Sequence, residues 1–178
     1  MAEYRNEHIS LAYLITFRAY GTWLHGDKRG SVNRFHNRFG TPLIVPNERW
    51  RKYNHSLLSH SPVKLRSRQR VLVEEAIRET CRLREWEFWA TNVRTNHVHT
   101  VVGAGCDPER ILIAFKANAT RKLRAAGCWR SSQTPWVERG SKRYLWTESD
   151  VINAVVYVEY DQGGAAVIID FRALNGFG

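Results

Sequence analysis

A chain of 178 residues is long enough to bury a real core and short enough to form one domain. Its 27 Lys and Arg against 17 Asp and Glu leave a formal net charge of +10, which favours a polyanionic partner or surface and says nothing about fold. Three widely spaced cysteines, Cys81, Cys106 and Cys128, provide neither a disulfide framework nor a CxxC metal knuckle, and no apolar run approaches the roughly 18 residues of a membrane span. The opening MAEYRNEHIS carries no hydrophobic signal segment, so the expectation is a cytoplasmic protein with no membrane partner.

In chain order, LAYLITF from Leu11 to Phe17 is rich in strand formers and predicts the first strand. The next stretch, about 18–50, is punctuated by Gly21, Gly26, Gly30, Gly40, Pro42 and Pro46 and reads as a long irregular segment. A loop of that length in a compact domain makes sense if it covers a site. It is basic and aromatic: Arg18, Lys28, Arg29, Arg34 and Arg38 are interleaved with Tyr20 and Trp23, with His25 and His36 nearby. Unpaired nucleotides require such a surface, since cations take the phosphates and rings take the bases. A solvated loop with aromatic anchors is the plainer reading of the same residues.

Trp50 to Pro62 is a connector or a short helix. From about Lys64 to Arg84 the spacing of Val71, Val73, Ala76, Ile77, Cys81 and Leu83 predicts a helix with one buried face. Two antiparallel strands follow, Glu87 to Val93 and His97 to Gly103, joined by a tight turn at Arg94-Thr95-Asn96. Asp107-Pro108 is a helix start, and Leu112, Phe115, Ala119 and Leu123 form the buried stripe of a helix reaching about Ala126. Between Arg110 and Arg143 the acidic residue Glu138 stands against nine basic ones, among them Lys116, Arg121, Arg124, Lys142 and Arg143. This stretch is the strongest local indication of phosphate contact. Trp129 and Trp136 belong to the loop that follows the helix. Arg143 to Trp146 reads as a closing strand, and Thr147 or Ser149 caps a last helix from about Glu148 to Tyr160, ahead of Gly163-Gly164. The apolar AAVIID of the tail has no assigned place. The whole predicts one domain over 1–178, with its core at about 11–164: an α+β fold with a mostly antiparallel sheet and helices against one face.

The chemistry centres on the hairpin. A period of two sends His97, His99 and Val101 to one face of their strand, so two imidazoles stand side by side as a bidentate grip for a divalent metal. Two histidines cannot fill a coordination shell, and two satisfied polar residues near a strand end is the alternative. On the last helix Tyr157, Tyr160 and Asp161 are spaced to share a face. A phenol with its ordinary pKa of about 10 is a poor nucleophile, but it becomes credible beside a metal that neutralises a phosphate under attack. Asp161 or Gln162 could supply an oxygen ligand from the helix end, and a packing residue with a wet hydroxyl is the plainer reading of either tyrosine.

The segment NVRTNHVHTVV resembles the histidine-hydrophobic-histidine motif of the IS200-like single-tyrosine transposases, including those associated with repetitive extragenic palindromes, and AVVYVEYDQGG resembles their tyrosine helix. LITFRAYGTWLHGDKRGSVNR, FKANATRKLR and WVERGSKRYLWT extend the similarity over most of residues 11–164. The resemblance implies a ferredoxin-like domain that binds single-stranded DNA beside a hairpin and uses Mg²⁺ or Mn²⁺. It implies cleavage by tyrosine attack, giving a 5′-phosphotyrosyl enzyme and a free 3′ hydroxyl. Carried onto this chain, Tyr157 is the nucleophile and His97 and His99 are metal ligands. Many relatives place a glutamine about one turn after the tyrosine; here Asp161 stands there and Gln162 follows. Thr95 stands where many have proline, and Asp-Gln-Gly-Gly replaces Asn-Pro after the tyrosine helix. Monomer and homodimer are both found in the family. Two other readings are a nucleic-acid-binding protein without cleavage and a metal-dependent phosphodiesterase that uses water.

Overall fold

Alternation along the first strand, β1 (Ala12–Ala19), divides the molecule in two. Tyr13, Ile15, Phe17 and Ala19 enter one core, while Ala12 and Leu14 enter another on the opposite side of the sheet. The computed structural model describes residues 10–27 and 45–160. The expectations for Arg29, Arg34 and His36, for Asp161 and Gln162, and for the apolar tail lie outside the described residues.

After β1 come the helices α1 (Glu48–Ser56) and α2 (Ser67–Leu83), the strands β2 (Glu87–Val93) and β3 (His97–Gly103), the helix α3 (Pro108–Ala125), the strand β4 (Trp136–Leu145) and the helix α4 (Glu148–Glu159). The four strands form one antiparallel sheet in the order β2-β3-β1-β4, the ferredoxin-like arrangement. β1 and β3 are therefore interior, and β4 is an edge. Caps set the helix starts by local chemistry. The Asp107 carboxylate accepts from Glu109 N–H at 2.7 Å with Pro108 in the first turn, and Thr147 and Asp150 cap α4 reciprocally.

β4 begins at Trp136, seven residues before the expected closing strand at Arg143. Its sequence WVERGSKRYL lacks apolar alternation because it pairs on one side only, and an edge strand tolerates charges. Trp136 is buried at the strand's start. Its ring meets Phe17 edge-on at 4.9 Å, and its indole N–H lies 3.1 Å from both Lys116 O and Thr120 Oγ1.

The helices α2 and α3 lie on one face, where Val73, Ile77, Ile111, Leu112, Phe115 and Leu123 close over Ile15, Phe17, Val98 and Val102. On the opposite face, Val151, Ala154, Val155 and Val158 of α4 cover Leu14, Ala90, Val101 and Leu145. This second apolar cluster extends along only part of the strands, and polar side chains take over beyond it. α1 buries no residue in the core. Among the described residues, no helix is long and apolar enough to cross a membrane.

Candidate active site

Strand register assembles the polar end of the α4 face. Asn92, His99, Thr16 and Ser141 lie opposite one another across β2, β3, β1 and β4, and His97 lies opposite Arg18 in the next same-face row. Thr16 Oγ1 and His99 Nδ1 share a hydrogen bond of 2.8 Å. His97 Nδ1 is 2.7 Å from Asn96 Oδ1. An amide oxygen only accepts, so this contact calls for the proton on His97 Nδ1. The Thr16 hydroxyl can accept from His99 in the same way. The two rings are 4.8 Å apart. His99 is only 6% exposed, and burial, followed by the neighbouring His97 and Arg94, pulls its pKa down to about 4. Its neutral imidazole is the form that ligates metals.

Tyr157 comes to this pair from α4. Residues 151, 154, 155 and 158 face the sheet, which places Tyr157 on the flank of the buried stripe, 39% exposed. Its ring meets His99 edge-on with centroids 5.5 Å apart. Asn92 Nδ2 donates to Val158 O at 2.9 Å and so ties the end of the tyrosine helix to the histidine row. On the other side Trp23 stacks on His97 at 5.5 Å, and the Arg18 guanidinium lies 5.2 Å from the Trp23 ring centre. Trp23 has φ 52°, a left-handed conformation uncommon for a bulky residue, so its place against His97 is held by the surrounding loop.

No protein-family model matches this sequence, and no curated protein does. Among solved structures, the crystal structure of a candidate transposase from Deinococcus radiodurans is similar over 93% of this chain and 100% of its own, at 14% identity and a TM-score of 0.50. A REP-associated tyrosine transposase bound to a REP hairpin is similar over 89% of this chain and 70% of its own, at 18% identity and a TM-score of 0.48. The chain shares its fold with the Deinococcus protein. At such identities the likeness is one of fold, and site roles rest on the residues of this chain.

Within this fold the expected basic residues divide between the two faces. Arg18 and Trp23 adjoin His97, and Arg143, opposite Leu14, shares the histidine face. Lys116, Arg121 and Arg124 belong to α3, which packs on the other face; Lys142, opposite Ile15, shares that side and pairs with Glu109. Lys116 Nζ donates to the carbonyls of Val137, Glu138 and Arg139 at 2.8, 2.8 and 3.1 Å. Arg124 likewise reaches the carbonyls of Ser131, Ser132 and Gln133. Arg121 is exposed.

Thr16, Asn92 and Asn96 were not among the expected site residues. The signal available for Thr16 was a hydroxyl breaking the apolar run LAYLITF, and for Asn96 its place beside His97. Among the described residues, no three His, Cys, Asp or Glu side chains gather as a metal site. The described donor set is the pair of histidines, two imidazoles with ring centres 4.8 Å apart, which leaves further ligands to come from elsewhere.

Proposed function

We propose that this protein is a metal-dependent single-stranded DNA endonuclease and strand transferase in which Tyr157 is the nucleophile. One observation carries the reading: the exposed phenol of Tyr157 and two oriented histidines converge at the polar end of one sheet face, within a single chain. That arrangement supports a site complete in one subunit.

His97 and His99 would hold Mg²⁺ or Mn²⁺ together with Asp161 or Gln162, which follow directly on the tyrosine helix. When bound, the cation neutralises charge on the scissile phosphate and on the departing oxygen. Tyr157 Oη attacks the phosphorus; the P–Oη bond forms, the P–O3′ bond breaks, and the 3′ oxygen takes up a proton as the phenol's proton leaves to solvent. The 5′-phosphotyrosine conserves the bond energy, so an incoming 3′ hydroxyl can reverse the step and join a different strand. Thr16 and Asn96 hold the imidazoles in orientation. Asn92 keeps the tyrosine helix in place.

Arg18, Arg143 and Trp23 take the single strand at the site, with Arg29 and Arg34 of the same basic segment as Arg18. The family motif around His97 and Tyr157 supports a hairpin beside that strand, and the exposed Arg121 is available to its phosphates.

The test is incubation of end-labelled single-stranded DNA, carrying hairpins from the source genome, with the protein and Mg²⁺ or Mn²⁺. Products are run on a denaturing protein gel. A labelled covalent band is expected from the native protein and none from Tyr157→Phe. Cleavage without that band would replace tyrosine attack by water attack, and binding without cleavage would leave a binding protein.

A further inference from the structure

A second concave feature adjoins the candidate active site and is unused by the chemistry above. It is a groove of about 400 Å³ between the segment after β1 and the end of α1, and it shares Arg18 and Trp23 with the histidine site. Tyr20 and His25 add rings, Leu57 and Leu58 add apolar wall, and Glu138 is the one acidic residue among the described lining. The volume falls in the range of small-ligand sites.

The groove is preformed. Gly21 has φ +74°, and a Cβ there would come within 2.8 Å of Pro62 Cα; Gly26 has φ +93°, with Arg51 N 2.6 Å from where its Cβ would be. Tyr20 N–H donates to Pro135 O at 2.8 Å, and Val63 N–H donates to Tyr20 O at 2.9 Å. The Tyr20 ring stacks on His60 at 3.7 Å, and His25 stacks on Trp50 at 5.4 Å. The segment after β1 and the stretch around α1 are thus clamped around a cleft with flat rings at its sides.

We infer that this groove binds one unpaired nucleobase of the DNA strand, a nucleotide neighbouring the phosphate that lies at His97 and Tyr157. The chemistry of the lining supports a base more than a phosphate. Rings and leucine side chains offer stacking and apolar contact, while a lone carboxylate opposes the cation within the groove. Trp23 connects the two sites physically, since its ring belongs to the groove and also stacks on His97. The inference rests on single-stranded DNA being the substrate and does not require the covalent step.

The probe is a fluorescein-labelled oligonucleotide with one hairpin and a mixed-sequence unpaired arm of about ten nucleotides. Copies carry one abasic position each along the arm. Affinity is read by anisotropy at fixed salt for the native protein, for Leu58→Trp, whose indole fills the groove, and for Leu57→Trp at an exposed position. The native protein is expected to lose about tenfold in affinity at one position, the loss of one stacked base. In the tryptophan variants that position falls to within about twofold of intact DNA, and the other positions keep their values. Variants with the native abasic profile would overturn the groove assignment, as would a native profile with no sensitive position. Failure of the covalent reading is separate, because it appears as a missing Tyr157 adduct on the gel whatever the abasic profile.

Discussion

Replacing Lys116 by methionine separates a structural cation from one that binds DNA. The side chain's three donors reach three consecutive backbone carbonyls at the start of β4, fastening the edge strand to α3. Burial draws its pKa down to about 8, opposed by the carboxylates of Glu109 and Glu138, so it is charged at neutral pH. Methionine keeps the stem's packing and removes the donors. With water able to reach the exposed Glu138 and Arg139 positions, each lost bond is set at about 1 kcal/mol, the value of an ordinary hydrogen bond and below the range for buried charged groups. Release of the restrained lysine offsets part of the total, leaving a net cost of about 2 kcal/mol. For a domain of this size that lowers Tm by about 4–8 °C. The assay is thermal unfolding by circular dichroism beside a salt titration of single-stranded DNA affinity. The expected result is a lower Tm with an unchanged slope of log affinity against log salt. An unchanged Tm with a shallower salt slope would refute the reasoning and return Lys116 to the phosphate contacts.

Thr16→Val, nearly isosteric, removes the hydroxyl that orients His99, and should weaken Mn²⁺ activation of cleavage by about 10–100-fold while leaving DNA affinity in EDTA unchanged; equal Mn²⁺ titrations for both proteins would refute it. Arg18→Ala and Arg143→Ala should each reduce the salt slope for single-stranded DNA by about 0.7, one phosphate contact apiece, and an unaltered slope would take that residue off the strand's path. His99 titrates near 4 in the fold against an ordinary 6.5, so between those values the unfolded chain holds more protons and stability falls as pH drops. In metal-free buffer this costs at most about 3 kcal/mol from pH 7 to pH 4, and His99→Gln should flatten that part of the Tm profile.

What could be read from the chain was what local chemistry decides. The hairpin strands match residue for residue, because the turn at Arg94-Thr95-Asn96 and the apolar runs beside it are local signals. Asp107-Pro108 and Thr147 likewise announced their helices. The start of β4 was hidden, since a strand with one paired edge needs no alternation, and Trp136 read as a loop residue although it is an anchor of the core. At the site, period two was enough to place His97 and His99 on one face. Their supports were not legible: Thr16 and His99 are 83 residues apart and meet only through the register of β1 with β3. The carbonyl contacts of Lys116 were hidden for a related reason. Off the buried stripe of its own helix it looks solvated, and only the fold of β4 brings carbonyls over it.

The sheet's division of labour bears on how such a protein tolerates genetic change. Most of the tightly buried apolar side chains lie on the α2 and α3 side, whereas the histidines, the tyrosine and their polar supports lie on the other. Alterations that abolish chemistry therefore need not impair expression or folding. A substitution that removes the proposed chemistry at Tyr157 or the histidines leaves that larger core untouched, so loss of the proposed activity and loss of the fold are separable events.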